Sequence, residues 1–147
     1  MNPESTRLFT TPSGRPTKEA PVSTRNFTFI TPLMTPGTIN GVVSAKFLVD
    51  TGAAVVVIPA ALVKSLTDSG FITQDDFLGE RTFRMANGSA MQAQALRLRS
   101  LQVGNVVVEN VEAGVFPDNA PLLLGQSFLR RLKSWSMDTT AHTLTIE

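Results

Sequence analysis

The segment FLVDTGAAVVVIP, Phe47 to Pro59, sets one acidic residue inside an otherwise apolar run. Phe47, Leu48 and Val49 read as the end of a strand, and Val55 to Ile58 as a second, β-branched one. A carboxylate is costly to bury unless it is paired or well hydrogen-bonded. A fold that ends an apolar strand on Asp50 must therefore supply that carboxylate with a partner. The residues after it suit the task. Thr51 offers a hydroxyl that can lock neighbouring backbone, and Gly52 permits a tight turn and leaves its N–H free to face the carboxylate. The triplet alone is weak, because Asp68-Ser69-Gly70 has the same form. That second copy follows KSLT rather than an apolar strand, and it stands where a helix should stop.

Composition narrows the class. At 147 residues, 42% hydrophobic and 17% charged, the chain suits one globular domain. A domain of this size buries enough surface to need no staple. The absence of cysteine excludes disulfides and thiolate metal sites. The lone His142 has no second histidine, so neither metal nor cofactor is expected. A net charge of +1 does not suggest nucleic acid or a membrane surface. The apolar run from Ala53 to Val63 is interrupted by Pro59 and is too short to span a bilayer. No apolar leader opens the N-terminus. These features favour a soluble, cytoplasmic chain, or a piece of a larger protein.

Residues 1–25 are rich in Ser, Thr, Pro, Gly and charge and read as a flexible arm or linker. Residues 26–147 read as the folded domain, and its pattern is all-β with two short helices. Phe27, Phe29 and Thr31 alternate with polar residues. Asn40-Gly41 and Asn87-Gly88 are hairpin signals, and Gly104-Asn105 marks another turn. Strands are expected over residues 42–49 and 55–58, on both sides of Asn87-Gly88, and over VVVENVEAGV, KSWSMD and HTLTIE. Pro59 opens a helix PAALVKSL that Asp68, Ser69 and Gly70 close. A second helix fits QSFLRRL after the run LLLG. Asp75-Asp76 reads as a solvated loop. Trp135 reads as core or edge packing, and Asp138 and His142 as turn residues. VDTGAAVVVIPAALV and PLLLGQSFLRRL echo one another weakly, each running from an apolar strand through a glycine turn towards a helix.

Asp50 in F-L-V-D-T-G-A, a β-branched strand and helix, a later glycine hairpin and the late LLLG-x-x-F-L together resemble the retropepsin-like aspartic proteases, with the bacterial and cellular branch favoured over the viral one. The resemblance covers about residues 26–147. It implies a closed β barrel of the acid-protease fold, with one lobe per chain. It makes Asp50 the catalytic carboxylate. Thr51 would reach across a two-fold axis, Gly52 would donate its N–H to the carboxylate, and Ala53 would line the cleft floor. Met85, Ala86, Asn87, Gly88 and Ser89 would form a flap over substrate. Leu123, Leu124 and Gly125 would cross behind the catalytic loop and support it. Two departures stand out. Ala54 occupies a place where the family often has Ser or Thr, and the chain has no tyrosine for a flap contact.

Amide hydrolysis by this chemistry needs two carboxylates sharing one proton. The chain has one credible Asp-Thr-Gly, so a two-fold homodimer would bring Asp50 to its own copy. The strand HTLTIE, with NFTFIT, is the candidate for the rest of the interface, from its terminal position and expected free edges. A peptide or protein substrate would bind extended. Small and apolar cleft residues imply an apolar preference near the cut, and Phe9 and Phe27 are conceivable self-cleavage points. A non-catalytic dimeric peptide-binding module of the same fold is the first alternative, favoured by Ala54. An ordinary β-barrel that binds nucleic acid through Arg97, Arg99, Arg130, Arg131 and Lys133 is the second. Residues 26–147 carry nine basic against ten acidic residues, which argues against a broad basic field.

Overall fold

Asn40 and Gly41 both adopt left-handed backbone, φ 52° and 74°, and so turn the chain between β2 (Met34–Ile39) and β3 (Val43–Val49). Such a turn matches the twist of the flanking strands, and Asn-Gly is the pair that tolerates it. A computed structural model describes residues 25–28, 33–84, 87–141 and 143–147, the first four by backbone alone. The arm expected over residues 1–25, with Phe9, lies almost wholly outside them, as do Phe29, Thr31, Met85, Ala86 and His142.

Asp50 to Val55 link β3 to β4 (Val56–Pro59), and helix α1 (Ala60–Asp68) follows at once. Pro59 stands just before the helix and still pairs with Phe116, so its fixed φ serves both elements. The Asp118 carboxylate accepts the Ala61 N–H at 2.7 Å, which satisfies one of the orphan donors of the first turn. Gly70, at φ 82°, ends the helix as the Asp-Ser-Gly punctuation implies. After a 3-10 turn (Gln74–Asp76) come β5 (Phe77–Arg84), β6 (Ala90–Val103), β7 (Val106–Phe116), β8 (Leu123–Leu124) and helix α2 (Gln126–Leu129).

The larger sheet runs β2-β3-β8-β4-β7-β6-β5, and β2 also meets β6. That contact joins six strands into a ring and leaves β5 outside it. The all-β class and acid-protease fold hold, but the ring is not a regular barrel, since β2 and β6 pair only at Thr38–Gln102 and Ile39–Leu101. Its core includes Ile39, Phe47, Val56, Ile58, Leu124 and Phe128, all buried. On β6 the buried face changes parity, from Leu96 and Leu98 to Leu101 and Val103. Asn110 on the paired strand has φ 57° near that change. The strand pair thus bends and packs its two halves in different directions. Alternation along β4 divides two apolar regions. Val56 and Ile58 enter the main core, whereas Val57 joins a second cluster with Phe83, Ala93, Ala95 and Phe116.

Two expectations need correction. Asp76 is not solvated: its side chain is fully buried and held by Arg97 and Arg99 at 2.8 and 2.7 Å. A carboxylate is sealed there because two guanidinium groups and the Thr73 N–H, at 2.9 Å, replace its water. Those arginines are therefore not a free basic face. Arg131 is likewise engaged, donating to the Glu109 carbonyl at 2.9 Å. The second correction concerns the C-terminus. β10 (Thr143–Ile146) lies in the middle of a three-stranded sheet, between β1 (Arg25–Thr28) and β9 (Trp135–Asp138). Both its edges are paired within the chain, and Leu144 and Ile146 are buried in the core. The outer edges are those of β1 and β9.

Candidate active site

Asp50 is placed by backbone before its side chain contributes anything. Leu48 N–H donates to Leu122 O at 2.8 Å, Val49 N–H to Leu33 O at 2.9 Å, and Asp50 N–H to Leu124 O at 3.1 Å. β8 lies parallel to the end of β3, with Leu48 opposite Leu123 and Val49 opposite Leu124. The strand that ends on Asp50 is thus clamped on both sides. The chain then turns, with Ala53 N–H on Asp50 O at 3.2 Å and Gly52 N–H on Asp50 Oδ1 at 2.9 Å. The second of these is the bond that the Asp-Thr-Gly sequence offers: a charge-assisted contact that fixes the carboxylate.

Behind the loop, β8 gives way to Gly125. A Cβ on Gly125 would collide with the Val55 carbonyl oxygen and come within 2.7 Å of Ala53 O. Only glycine lets the two backbones approach this closely. Gln126 then holds the loop twice. Its N–H donates to Ala53 O at 2.8 Å, and its side-chain Nε2 to Thr51 O at 2.9 Å. Ser127, nearly buried, accepts the Val56 N–H at 2.9 Å and donates to Glu112 O at 2.7 Å. The loop that lacks a hydroxyl at Ala54 is therefore held from the β8–α2 segment.

A cavity of about 190 Å³ opens above this loop. Asp50, Gly52, Ala53 and Ala54 line one part of it. Val55, Val57, Phe83, Phe116 and Leu123 supply apolar walls, and Arg84 also lines it. The rings of Phe83 and Phe116 pack 5.8 Å apart at 51°. Asp50 is partly exposed, and Thr51 is exposed, its hydroxyl without a partner among the described residues. Among the described residues, no three His, Cys, Asp or Glu side chains converge to hold a metal ion.

Asp50, Gly52 and Ala53 thus meet at the cavity, and Leu124 and Gly125 lie behind it. From the β5–β6 hairpin, Phe83 and Arg84 reach the cavity, whereas Asn87, Gly88 and Ser89 do not line it. Asn87 instead organises its own turn, its Oδ1 accepting the Ser89 N–H at 2.9 Å. Sequence reading passed over Gln126 and Ser127, although both follow the LLLG run directly. It also missed Phe83, Arg84 and Phe116, for which no local pattern points to a site.

Residues 35–131 match the family model described as "gag-polyprotein putative aspartyl protease". The crystal structure of a retropepsin-like aspartic protease from Rickettsia conorii is similar, with a TM-score of 0.60 and 26% identity. The similarity covers 84% of this chain and 98% of that one. No curated protein matches. Clamped strand, Asp-Thr-Gly loop and supporting glycine turn agree with these likenesses: the chain belongs to the retropepsin-like aspartic protease family.

Proposed function

We propose that the chain is an aspartic endopeptidase that works as a two-fold homodimer, with Asp50 of each copy facing the other. The observation that carries this reading is a single partly exposed carboxylate, fixed by the Gly52 N–H, beside an apolar cavity large enough for a side chain. Two carboxylates about 3 Å apart hold one proton between them. The ionised one takes a proton from a water, which attacks the peptide carbonyl carbon. The protonated one donates to the carbonyl oxygen, giving a tetrahedral diol, and its collapse with proton transfer to the leaving nitrogen breaks the C–N bond. No covalent enzyme intermediate is required.

In this reading Thr51, exposed directly after Asp50, braces the facing loop of the second copy. The β5–β6 hairpin covers the substrate, the flap role that the sequence resemblance gives to Met85 to Ser89. An extended peptide would add backbone hydrogen bonds to the cleft, and an apolar side chain would enter the cavity. Among the described residues, β1 and β9 are the outer strands of the smaller sheet and β5 ends the larger one, and the partner could build on the edges of β1 and β9. Ala54 favours a second reading, a dimeric peptide-binding module without catalysis. One experiment separates the two: digestion of a peptide library by the wild type and by Asp50→Asn. Cleavage by the wild type that falls at least about a thousandfold in the variant is expected, since removing an essential acid–base group forfeits most of the acceleration. Binding without cleavage by either protein would leave the module.

A further inference from the structure

Among the described residues, Arg84 is the only positively charged one lining the cavity, and Asp50 is the only negatively charged one. Arg84 ends β5, directly after Phe83, whose ring forms part of the apolar wall. Its charge is not spent on any described carboxylate. Arg81 holds Glu112, and Arg97 and Arg99 hold Asp76, yet Arg84 is exposed and has no carboxylate partner among the described residues. Its side-chain hydrogen bond to a described residue, Gly88 O, is long at 3.4 Å. A guanidinium presents a planar fork suited to a carboxylate. Beside an apolar wall, such a pair is less screened than in open water.

We infer that Arg84 selects substrates bearing an acidic side chain within two residues of the apolar side chain that fills the cavity. The inference rests on the peptide-cleft reading above and adds to it a specificity-determining residue. The spacing follows from strand geometry. In an extended peptide, residues two apart point to the same face, so a neighbour of the cavity-filling residue passes the same wall. An acidic group there would meet the Asp50 carboxylates as like charges, and Arg84 offsets that repulsion. A glutamine in the same place could hydrogen-bond but would bring no charge.

The test uses two fluorescein-labelled dodecapeptides with a central Phe-Leu pair, one with Glu and one with Gln two residues out on each side. For the wild type at low salt, kcat/KM should favour the Glu peptide roughly three- to fivefold, the size expected of a partly exposed ion pair. The ratio should fall towards one near about 0.5 M salt, where the screening length shortens. Arg84→Lys should keep part of the preference, Arg84→Gln should abolish it, and Arg84→Glu should invert it. Binding to the Asp50→Asn protein, read by anisotropy, should rank the peptides in the same order without needing turnover. Equal treatment of the two peptides in both assays, a preference that survives Arg84→Gln, or no binding of either peptide would overturn the inference. The two readings fail separately. Asp50-dependent cleavage without a Glu preference removes only the role of Arg84. An Arg84-dependent binding preference without Asp50-dependent cleavage removes only the catalysis.

Discussion

At the scale of single residues, the loop that carries Asp50 is held by close backbone contacts. Gly125 lies where any Cβ would meet two carbonyl oxygens of the loop that carries Asp50. Backbone cannot swing aside as a flexible side chain can, so Gly125→Ala should destabilise the fold by about 2–4 kcal/mol, measured by urea denaturation. Gln126 makes a subtler demand. Gln126→Met keeps the length of the side chain and the main-chain bond to Ala53, but loses the donor to Thr51 O. Loss of one neutral hydrogen bond costs about 0.5–1.5 kcal/mol in stability. Because the bond holds the loop rather than the substrate, steady-state kinetics should show kcat reduced about tenfold with KM little changed. A rise in KM at constant kcat would instead place Gln126 in substrate binding.

At the scale of elements, the Asp76 clip joins the turn after α1 to the middle of β6. Arg99 donates to both carboxylate oxygens, at 3.2 and 2.7 Å, and Arg97 donates to one of them. Burial alone would raise the Asp76 carboxyl, but the hydrogen bonds from Arg99, Arg97 and the Thr73 N–H outweigh it. They hold the group well below the usual carboxylate range. A carboxyl that is more acidic folded than unfolded binds fewer protons when folded. Its contribution to stability is thus complete above the unfolded value near about pH 4 and is lost as pH falls towards the folded one. Asp76→Asn should cost about 2–4 kcal/mol at pH 7, less than a wholly buried pair because both arginines remain half-exposed. The deficit relative to wild type should shrink between about pH 4 and pH 2, as followed by denaturation at each pH. An unchanged deficit at the acid end would mean that Asp76 packs rather than pairs.

At the scale of the whole molecule, the chain carries one Asp-Thr-Gly loop, so under the proposed mechanism activity should depend on association. Specific activity of the wild type should fall on dilution through the dissociation range, and sedimentation should report a monomer–dimer equilibrium over the same concentrations. Activity proportional to enzyme concentration down to a sedimenting monomer would contradict the paired-carboxylate mechanism. The same scale separates what was legible in the sequence from what was not. Asn40-Gly41 and the alternation of β3 specified a hairpin that ends on Asp50, because turn chemistry and side-chain period are local properties. The glycine after LLL and the apolar run before it were visible for the same reason. The sequence could not show that Asp76 is sealed between Arg97 and Arg99, since the three charges meet only when β6 folds back past the α1 turn. Nor could it show β10 between two strands of its own chain, or Phe83, Arg84 and Phe116 around one cavity. Local periodicity and steric limits are written residue by residue. Which distant charge neutralises which, and which side chains share a wall, depends on contacts that only the closed chain brings together.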